Sequence, residues 1–547
     1  MPLDVGSSLT FGAGAVAGQR GLEFITTTTD SSSRQQASAE SDAKWWTLAA
    51  VCIGTFMLLL DITIVNVALP DIQGELKASF SDLQWAVDAY ALTLASLLLT
   101  AGSIADLFGR RLLYIIGVVL FTGASVLCGA ATSPLMLEVS RGLQGVGGAV
   151  MFAVSLALLA NAFRGKERGV AFGIWGMATG TAVGVGPVLG GALVALSWRW
   201  IFFVNIPVGI IALAITWWKV AESKQAGARR PDWAGFVVFT AALALLVYAL
   251  IESGRTSFSD TTVIACFAAG GALIVVFLFV EIRGDHPMLD LSLFALPTFS
   301  GGAIAAFAVS SGIFSMFLYL VLYLQNVLGF SALGAGTRLL LISGGIFVTS
   351  AITGRLTAYV PIRLLVGPGL MLIGIGLLLM RGIDATSSWT HLIPGFIVSG
   401  IGIGMMNPPL AATAVGVVRP ERAGMASGIS STFRQVGIAT GIALLGTLLA
   451  SKLRDDIRTG LAGTPLADRS ASITDAVKAG DFQGIARNLS PDQAKLVDHV
   501  GRVAFADSLN YILLVAAIMA FVCAALALGL IRSKDFIQHG APTEPGP

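Results

Sequence analysis

Charge is what this sequence has least of. Charged residues make up 12% of its 547 positions, while 55% are hydrophobic; a soluble domain carries roughly 25% charged residues. Water is therefore excluded as the main solvent. Cysteine and histidine are scarce too, with four of each. Cys52, Cys128, Cys266 and Cys523 each stand alone in an apolar stretch, without metal-ligand spacing, and read as small core residues and not as redox or metal groups. His286, His391, His499 and His539 are scattered and unpaired, which argues against a metal site. The formal net charge of +2 implies no acidic partner, and no basic patch is gathered for nucleic acid. No cofactor is expected.

What is abundant is apolar sequence in runs of about 20 residues, each long enough to cross a hydrocarbon core of roughly 30 Å as an α-helix. Fourteen such runs are predicted, at 45 to 68, 83 to 104, 112 to 131, 134 to 161, 170 to 195, 199 to 219, 233 to 252, 262 to 282, 299 to 324, 336 to 359, 362 to 381, 391 to 416, 425 to 450 and 508 to 532. Nine of the ten tryptophans (all but Trp175) fall at the edges of these runs, where amphipathic rings prefer the headgroup level. The fold class expected is an all-α polytopic membrane protein.

Short loops after the even-numbered spans hold the basic residues, among them Arg110, Arg111, Arg164, Lys166, Arg168, Arg283, Arg355, Arg419 and Arg422, whereas the opposite loops hold few, such as Lys77 and Arg255. The positive-inside rule then places both termini in the cytoplasm. Residues 1 to 44 are polar, lack a signal-peptide core and are expected to be a disordered cytoplasmic tail, with a second tail at 533 to 547.

Two glycine-bearing basic turns stand in corresponding places, Gly102 to Arg111 after span two and Gly354 to Arg363 after span ten. They divide the chain into a six-span half at 45 to 219 and a second at 299 to 532, with two additional spans and a connector at 220 to 298. The stretch from His286 to Phe294 reads as a surface amphipathic connector. Residues 451 to 507 form one large extracytoplasmic region, with a helix start at Ser490-Pro491-Asp492; it either shields the outer mouth or is a passive solvated loop.

An ionised side chain near mid-bilayer costs about 2.5 to 3.5 kcal/mol, so intramembrane charges need a partner, a wet cavity or a function. Asp61 in span one, Asp88 in span two, and Glu138 and Arg141 in span four all fall in one outer layer of the membrane. Glu138 and Arg141 are three apart on one face, the favourable order for a local pair, and Gln144, Gly145 and Gly148 extend the stripe. Asp61 and Asp88 have no opposite charge in their own spans, so unless Arg141 or water reaches them, desolvation favours their protonated forms. The alternatives are an ordinary hydrogen bond capping the outer end of span one for Asp61 and a place at the wet interface for Asp88. In span five, Gly176, Gly180 and Gly184 recur every four residues and run into Gly186, Pro187, Gly190 and Gly191, a stripe that admits a close helix and a possible bend. Polar or helix-distorting groups elsewhere, namely Trp175, Tyr319, Tyr323, Gln325, Asn407 and Arg434, are candidates for a substrate cavity together with Gln144.

With these residues in place, the chain resembles the major facilitator superfamily. Gly102 to Arg111 is similar to its loop motif, Arg141-Gly142-Leu143-Gln144-Gly145 to its fourth-span arginine motif, and Gly180 to Gly191 to its antiporter motif. Leu60 to Pro70 and Trp198 to Pro207 resemble signatures of the fourteen-span drug:proton antiporter branch. The resemblance implies a cytoplasmic gate formed by Gly102, Asp106, Gly109, Arg110 and Arg111, proton coupling through Arg141, and an interface shaped by Gly186-Pro187. Leu107 departs from the pattern, standing where a basic residue is common, as does the acid at Glu138.

The expected function is a proton-coupled exporter of amphipathic compounds, working by alternating access in the cytoplasmic membrane as a monomer. The acidic layer favours cationic substrates. A dedicated exporter of a lipid or self-made metabolite is the close alternative. A membrane-embedded enzyme or sensor would want a nucleophile with a base or clustered histidines, and neither is visible; Gly165-Lys166-Glu167 lacks the rest of a phosphate-binding loop.

Overall fold

The computed structural model describes residues 15–224, 231–284, 288–479 and 489–536, with side chains from residue 43 onward except at residues 66, 80, 254, 313, 314, 332 and 479. Among the described residues the fold is entirely helical. Six membrane helices come first: α1 (Ala15–Leu76), α2 (Phe80–Phe108), α3 (Arg110–Gly129), α4 (Pro134–Ala162), α5 (Gly165–Val194) and α6 (Trp200–Lys219). The pair α7 (Trp233–Arg255) and α8 (Thr261–Arg283) follows. The remaining six are α9 (Pro297–Val327), α10 (Ala332–Leu356), α11 (Arg363–Leu379), α12 (Ile393–Gly416), α13 (Ala423–Gly460) and α14 (Pro491–Leu530). Thirteen of these are long and apolar enough to span a bilayer, and the remaining one, α11, is a shorter apolar helix of 17 residues.

Two large apolar cores hold the bundle. One draws mainly on residues between Leu48 and Val220 and takes in Ala411, Ala414, Val415 and Ala423 from the second set of helices; the other draws on residues between Ala305 and Ile531. The added pair packs across both: α7 lies against α2 and α13, with Thr100 and Thr240 hydroxyls 2.9 Å apart and the Trp85 and Tyr248 rings stacked at 6.0 Å. A further cluster joins Leu99, Phe239, Phe277, Leu293, Met425 and Ile429, so the pair, the connector and both sets of six share one apolar seam.

Three expectations are corrected. Residues 15 to 44, expected without regular structure, are the start of helix α1, whose apolar membrane portion is Ala43–Val65; with no proline before Pro70, an already nucleated helix propagates through polar residues at little cost. Residues 1 to 14 and 537 to 547 of the two tails lie outside the described residues. The region 451 to 507 is not a passive loop: α13 and α14, at 38 and 40 residues, outrun the bilayer and with the short helix Ser470–Ala479 bury Leu453, Ile457, Leu461, Ile473, Val477 and Val497. Its predicted helix start is a capping box, with Ser490 and Gln493 bonded reciprocally. The connector's Met288, Leu289 and Leu293 are buried in the shared seam and not laid on a lipid surface; His286 lies outside the described residues.

α9 is not a regular helix. It contains π-turns at Ser310–Phe314 and Tyr323–Val327, a wide coil that is frequent at functional positions.

Candidate functional site: a buried ion-pair network and a closed face

The centre of the first six helices is a polar network with no access to solvent. Asp61 on α1 and Arg141 on α4 form an ion pair, with side chains 0% and 1% exposed. The second carboxylate oxygen accepts from Gln144 Nε2 at 2.8 Å and from Asn205 Nδ2 at 3.2 Å. Arg141 also donates Nε–H to the Ala86 carbonyl (2.9 Å) and Nη1–H to Gln144 Oε1 (2.6 Å), and its guanidinium lies 4.3 Å from the Tyr90 ring centroid. Gln144 Nε2 and Asn205 Nδ2 both reach Ser125 Oγ. Five helices (α1, α2, α3, α4 and α6) thus contribute to one network around this carboxylate. A buried pair is favourable when the remaining polar atoms are bonded, and here both Asp61 oxygens and the Nε and Nη1 groups of Arg141 have partners.

This arrangement overturns the predicted Glu138–Arg141 pair. Spacing of three puts both on one face, but Arg141 is drawn inward by Asp61 while Glu138 stays half-buried near the end of α4, with no ion pair among the described residues. Asp61 does not lack a counter-charge, and neither does Asp88, which pairs with Arg255 at the end of α7; Glu252 lies 3.6 Å from the same arginine. Two of the three acids behind the expected preference for cations are therefore compensated, and Glu138 alone of them has no ion pair among the described residues.

A second site lies on the face that carries the 102–111 turn. Gly109, at φ +121°, ends α2 and begins α3, a backbone region open to glycine and strained for other residues. Asp106 is buried and held by Arg110 Nε at 2.9 Å. Its carboxylate accepts the backbone N–H groups of Gly424 (2.9 Å) and Met425 (2.8 Å) at the N-terminus of α13, where unpaired donors and the helix dipole favour an anion. Arg110 Nη2 donates to the Pro420 carbonyl at 2.5 Å. One carboxylate thereby ties the first set of helices to the second. Arg111 donates to the Trp217 carbonyl instead, within the first set. Leu107 packs on the shared apolar seam and makes no charge contact.

The span-five stripe meets two partners. Gly176, Gly180 and Gly184 face Ser350, Ile346 and Ser343 of α10, whereas Gly186 and Gly190 cradle Thr63, Ile64 and Val67 of α1, two turns or less from Asp61. Pro187 abuts Gly336, and Gly191 faces Leu333, both on α10.

The substrate-cavity candidates are not all brought together. Trp175 is buried, bonded to Thr55 Oγ1 at 3.2 Å and packed on Phe152. Tyr319 donates to the Ile442 carbonyl (2.7 Å) and Tyr323 to that of Asp384 (3.4 Å), so both hydroxyls are engaged locally. Gln325 is part-buried on the second π-turn. Asn407 and Arg434 do meet: both Nη atoms of Arg434 lie 3.2 Å from Asn407 Oδ1, and Asn407 Nδ2 donates to Thr179 Oγ1 of α5 at 3.2 Å.

Sequence reasoning missed Asn205, Ser125, Thr179 and Glu222 as participants. Asn205 left a signal, a lone amide in an apolar span. Glu222 left none: it lies beyond α6, and its carboxylate accepts from Arg111 N and Leu112 N, both at 3.0 Å, capping α3 from a distant stretch of chain. Losing a helix cap costs about 1 kcal/mol; Glu222→Ala is expected to lower the thermal unfolding midpoint of the detergent-purified protein, and an unchanged midpoint would remove the cap from the account.

Two sets of six helices joined by a buried carboxylate at a helix N-terminus define a multi-pass membrane transporter of small molecules. The chain belongs to the Major Facilitator Superfamily, whose family model matches residues 51–442. It is 38% identical over 409 residues to the multidrug resistance protein Stp of Mycobacterium tuberculosis, covering 74% of this chain and 76% of that protein. It is 34% identical to the puromycin resistance protein pur8 of Streptomyces alboniger, covering 78% and 84%. The tetracenomycin C resistance and export protein of Streptomyces glaucescens is 31% identical, with 93% and 95% covered. Among solved structures, the human organic anion transporter MFSD10 superposes with a TM-score of 0.58 at 15% identity, covering 87% of this chain and 99% of that one. The proton:xylose symporter XylE does so at 0.59 and 12%, covering 90% and 97%. These two establish the fold.

Proposed function

We propose that this chain is a drug:proton antiporter that expels amphipathic, antibiotic-like compounds by alternating access. The halves are residues 45 to 219 and 299 to 532, with 220 to 298 as an added element, and the protein works as a monomer in the cytoplasmic membrane with the 102–111 face and both termini inward. The names of the resistance relatives support the substrate class. The observation that carries the coupling is the enclosed Asp61–Arg141 pair. Asp61 cannot accept a proton without weakening its bond to Arg141, and a released Arg141 still has Gln144, the Ala86 carbonyl and the Tyr90 ring as partners. Protonation therefore exchanges one set of bonds for another in the network that joins α1, α2, α4 and α6, while Gly186 and Gly190 couple α1 to α5.

At the inward face, Asp106, Gly102, Gly109 and Arg110 form the gate, closed here by the bond to α13, and Arg111 braces the α2–α3 turn against α6 beside it. Opening it breaks two backbone bonds and the Arg110–Pro420 contact, and the inserted pair, which touches both halves, travels with that motion. The driving force is adequate: a proton moving with the potential supplies about 2.3 kcal/mol per 100 mV, and each pH unit adds about 1.4 kcal/mol.

The test uses purified protein in liposomes with an imposed pH gradient and no ATP. Addition of lipophilic dyes and antibiotics is expected to trigger proton flux in wild type and not in Asp61→Asn. Flux with no compound from a broad panel would instead favour a dedicated exporter of one self-made metabolite, the reading that the tetracenomycin relative's name supports.

A further inference from the structure

We infer that Arg434 is the anchor of an anion-accepting subsite, so that the exported compounds carry an acidic oxygen (a carboxylate, sulfonate or phenolate) on an apolar body. This rests on the exporter reading and names the substrate class for it. Arg434 lies about 16 Å along α13 from its first residue, close to the middle of a bilayer roughly 30 Å thick. A cation at that depth needs compensation. Among the described residues no carboxylate comes within ion-pair distance of it; its Nη groups bond only the neutral Asn407 oxygen.

Arg141 is neutralised by Asp61, and Arg110 and Arg255 at helix ends by Asp106 and Asp88; Arg338, in the second turn of α10, has no carboxylate among the described residues and instead bonds the Gly334 carbonyl and lies against the Phe330 and Trp389 rings. Glu281, an acid without an arginine of its own, accepts the Leu289 N–H at the far end of α8 and does not reach Arg434. The charge left over at mid-depth is thus positive.

Its placement fits a ligand better than a structural strut. Arg434 keeps partial exposure at a depth where exposure means a cavity or a lipid contact, and it joins Asn407 beside Pro408 and Pro409, which is itself bonded to Thr179 of the other set of helices. The bridge Arg434–Asn407–Thr179 therefore crosses the interface that alternating access must open. The amide is spoken for on both sides, its N–H on Thr179 and its oxygen on Arg434. A planar guanidinium presents a fork of donors that matches a carboxylate edge-on, and such charge-assisted pairs are roughly twice as strong as the neutral bond now made to Asn407. An acidic substrate displaces that amide from Arg434.

The experiment measures equilibrium binding, by fluorescence anisotropy, of two dyes built on the same three-ring scaffold, anionic fluorescein and cationic tetramethylrhodamine methyl ester, to the full chain in nanodiscs at mildly alkaline pH. Wild type is expected to prefer fluorescein. Arg434→Gln should reduce the ratio of the two affinities by about tenfold or more, while Arg434→Lys, which keeps the charge and loses the fork, should give a smaller reduction of the same sign. Asn407→Asp supplies an internal counter-ion without removing the arginine and should also abolish the preference, so the test survives if Arg434→Gln does not fold. An unchanged ratio in Arg434→Gln or Asn407→Asp, a wild-type preference for the cation, or binding of neither dye overturns the assignment. The exporter reading is judged apart, by proton flux with the wider panel: flux without anion preference sinks the subsite alone, and anion preference without flux sinks the exporter alone.

Discussion

Arg141→Ala is expected to lose both stability and every trace of substrate-driven proton flux. Removing one partner of a buried ion pair leaves the other uncompensated, a change that costs about 3 to 5 kcal/mol, and Asp61 has no exposed surface through which water could replace the guanidinium. Gln144 and Asn205 still bond one carboxylate oxygen, so the loss falls on the other oxygen and on the Ala86 carbonyl, which gives up its Arg141 donor. The unfolding midpoint of the detergent-solubilised variant should fall clearly below wild type. Because instability alone would also abolish flux, the decisive chain is the double variant Asp61→Asn with Arg141→Gln. It has no buried charge at this position and keeps amide donors and acceptors. It should recover most of the lost stability and none of the flux. Recovery of flux in the double variant would show that the pair is architectural, and wild-type stability in Arg141→Ala would show that the network relaxes around its loss.

The membrane helices were legible in the sequence because apolar runs of about 20 residues have few other uses, and the capping signal at Ser490 was legible because it is local. Partner choice was not. Asp61 and Arg141 are 80 residues apart, and Asp88 and Arg255 are separated by 167; helical periodicity tells which face a residue occupies but not which helix that face meets. Glu138 shows the limit well, since the spacing rule names it as the partner of Arg141 and the packing of α1 against α4 overrules it. The charge sign available to a substrate went the same way. Counting acids in one layer suggested a cation site, yet two of those acids acquire arginines only through tertiary contacts, and Arg434, which has no acid beside it among the described residues, was readable solely as a polar residue too deep to be solvated. The π-turns of α9 and the extension of α13 and α14 beyond the bilayer left no periodic signature to find.

The crossing of α2 and α13 sets the other large expected effect. Gly102 and Gly424 meet backbone to backbone: a Cβ on Gly424 would come within 2.5 Å of the Gly102 carbonyl oxygen and still closer to the Asp106 carboxylate, and one on Gly428 within 2.8 Å of the Leu98 oxygen. The Asp106 bonds to Gly424 N and Met425 N form only at this approach. Gly424→Val therefore penalises the closed gate without touching the arrangement in which the halves separate at this face. Overpacking of this kind costs about 1 to 3 kcal/mol, which shifts a two-state equilibrium by about 5- to 150-fold. Transport should slow by one to two orders of magnitude while the unfolding midpoint, which the open arrangement also supports, moves little. Spin labels at the exposed positions Phe108 and Glu421, in a chain whose four native cysteines are replaced, report the gate directly. Wild type should show a short-distance population that Gly424→Val loses in favour of a longer one. If the distances and the flux both match wild type, the contact between α2 and α13 is not what closes this face, and the weight of closure moves to α5 and α10, where Gly173 and Gly354 approach so closely that a Cβ on Gly354 would lie 2.6 Å from the Gly173 Cα.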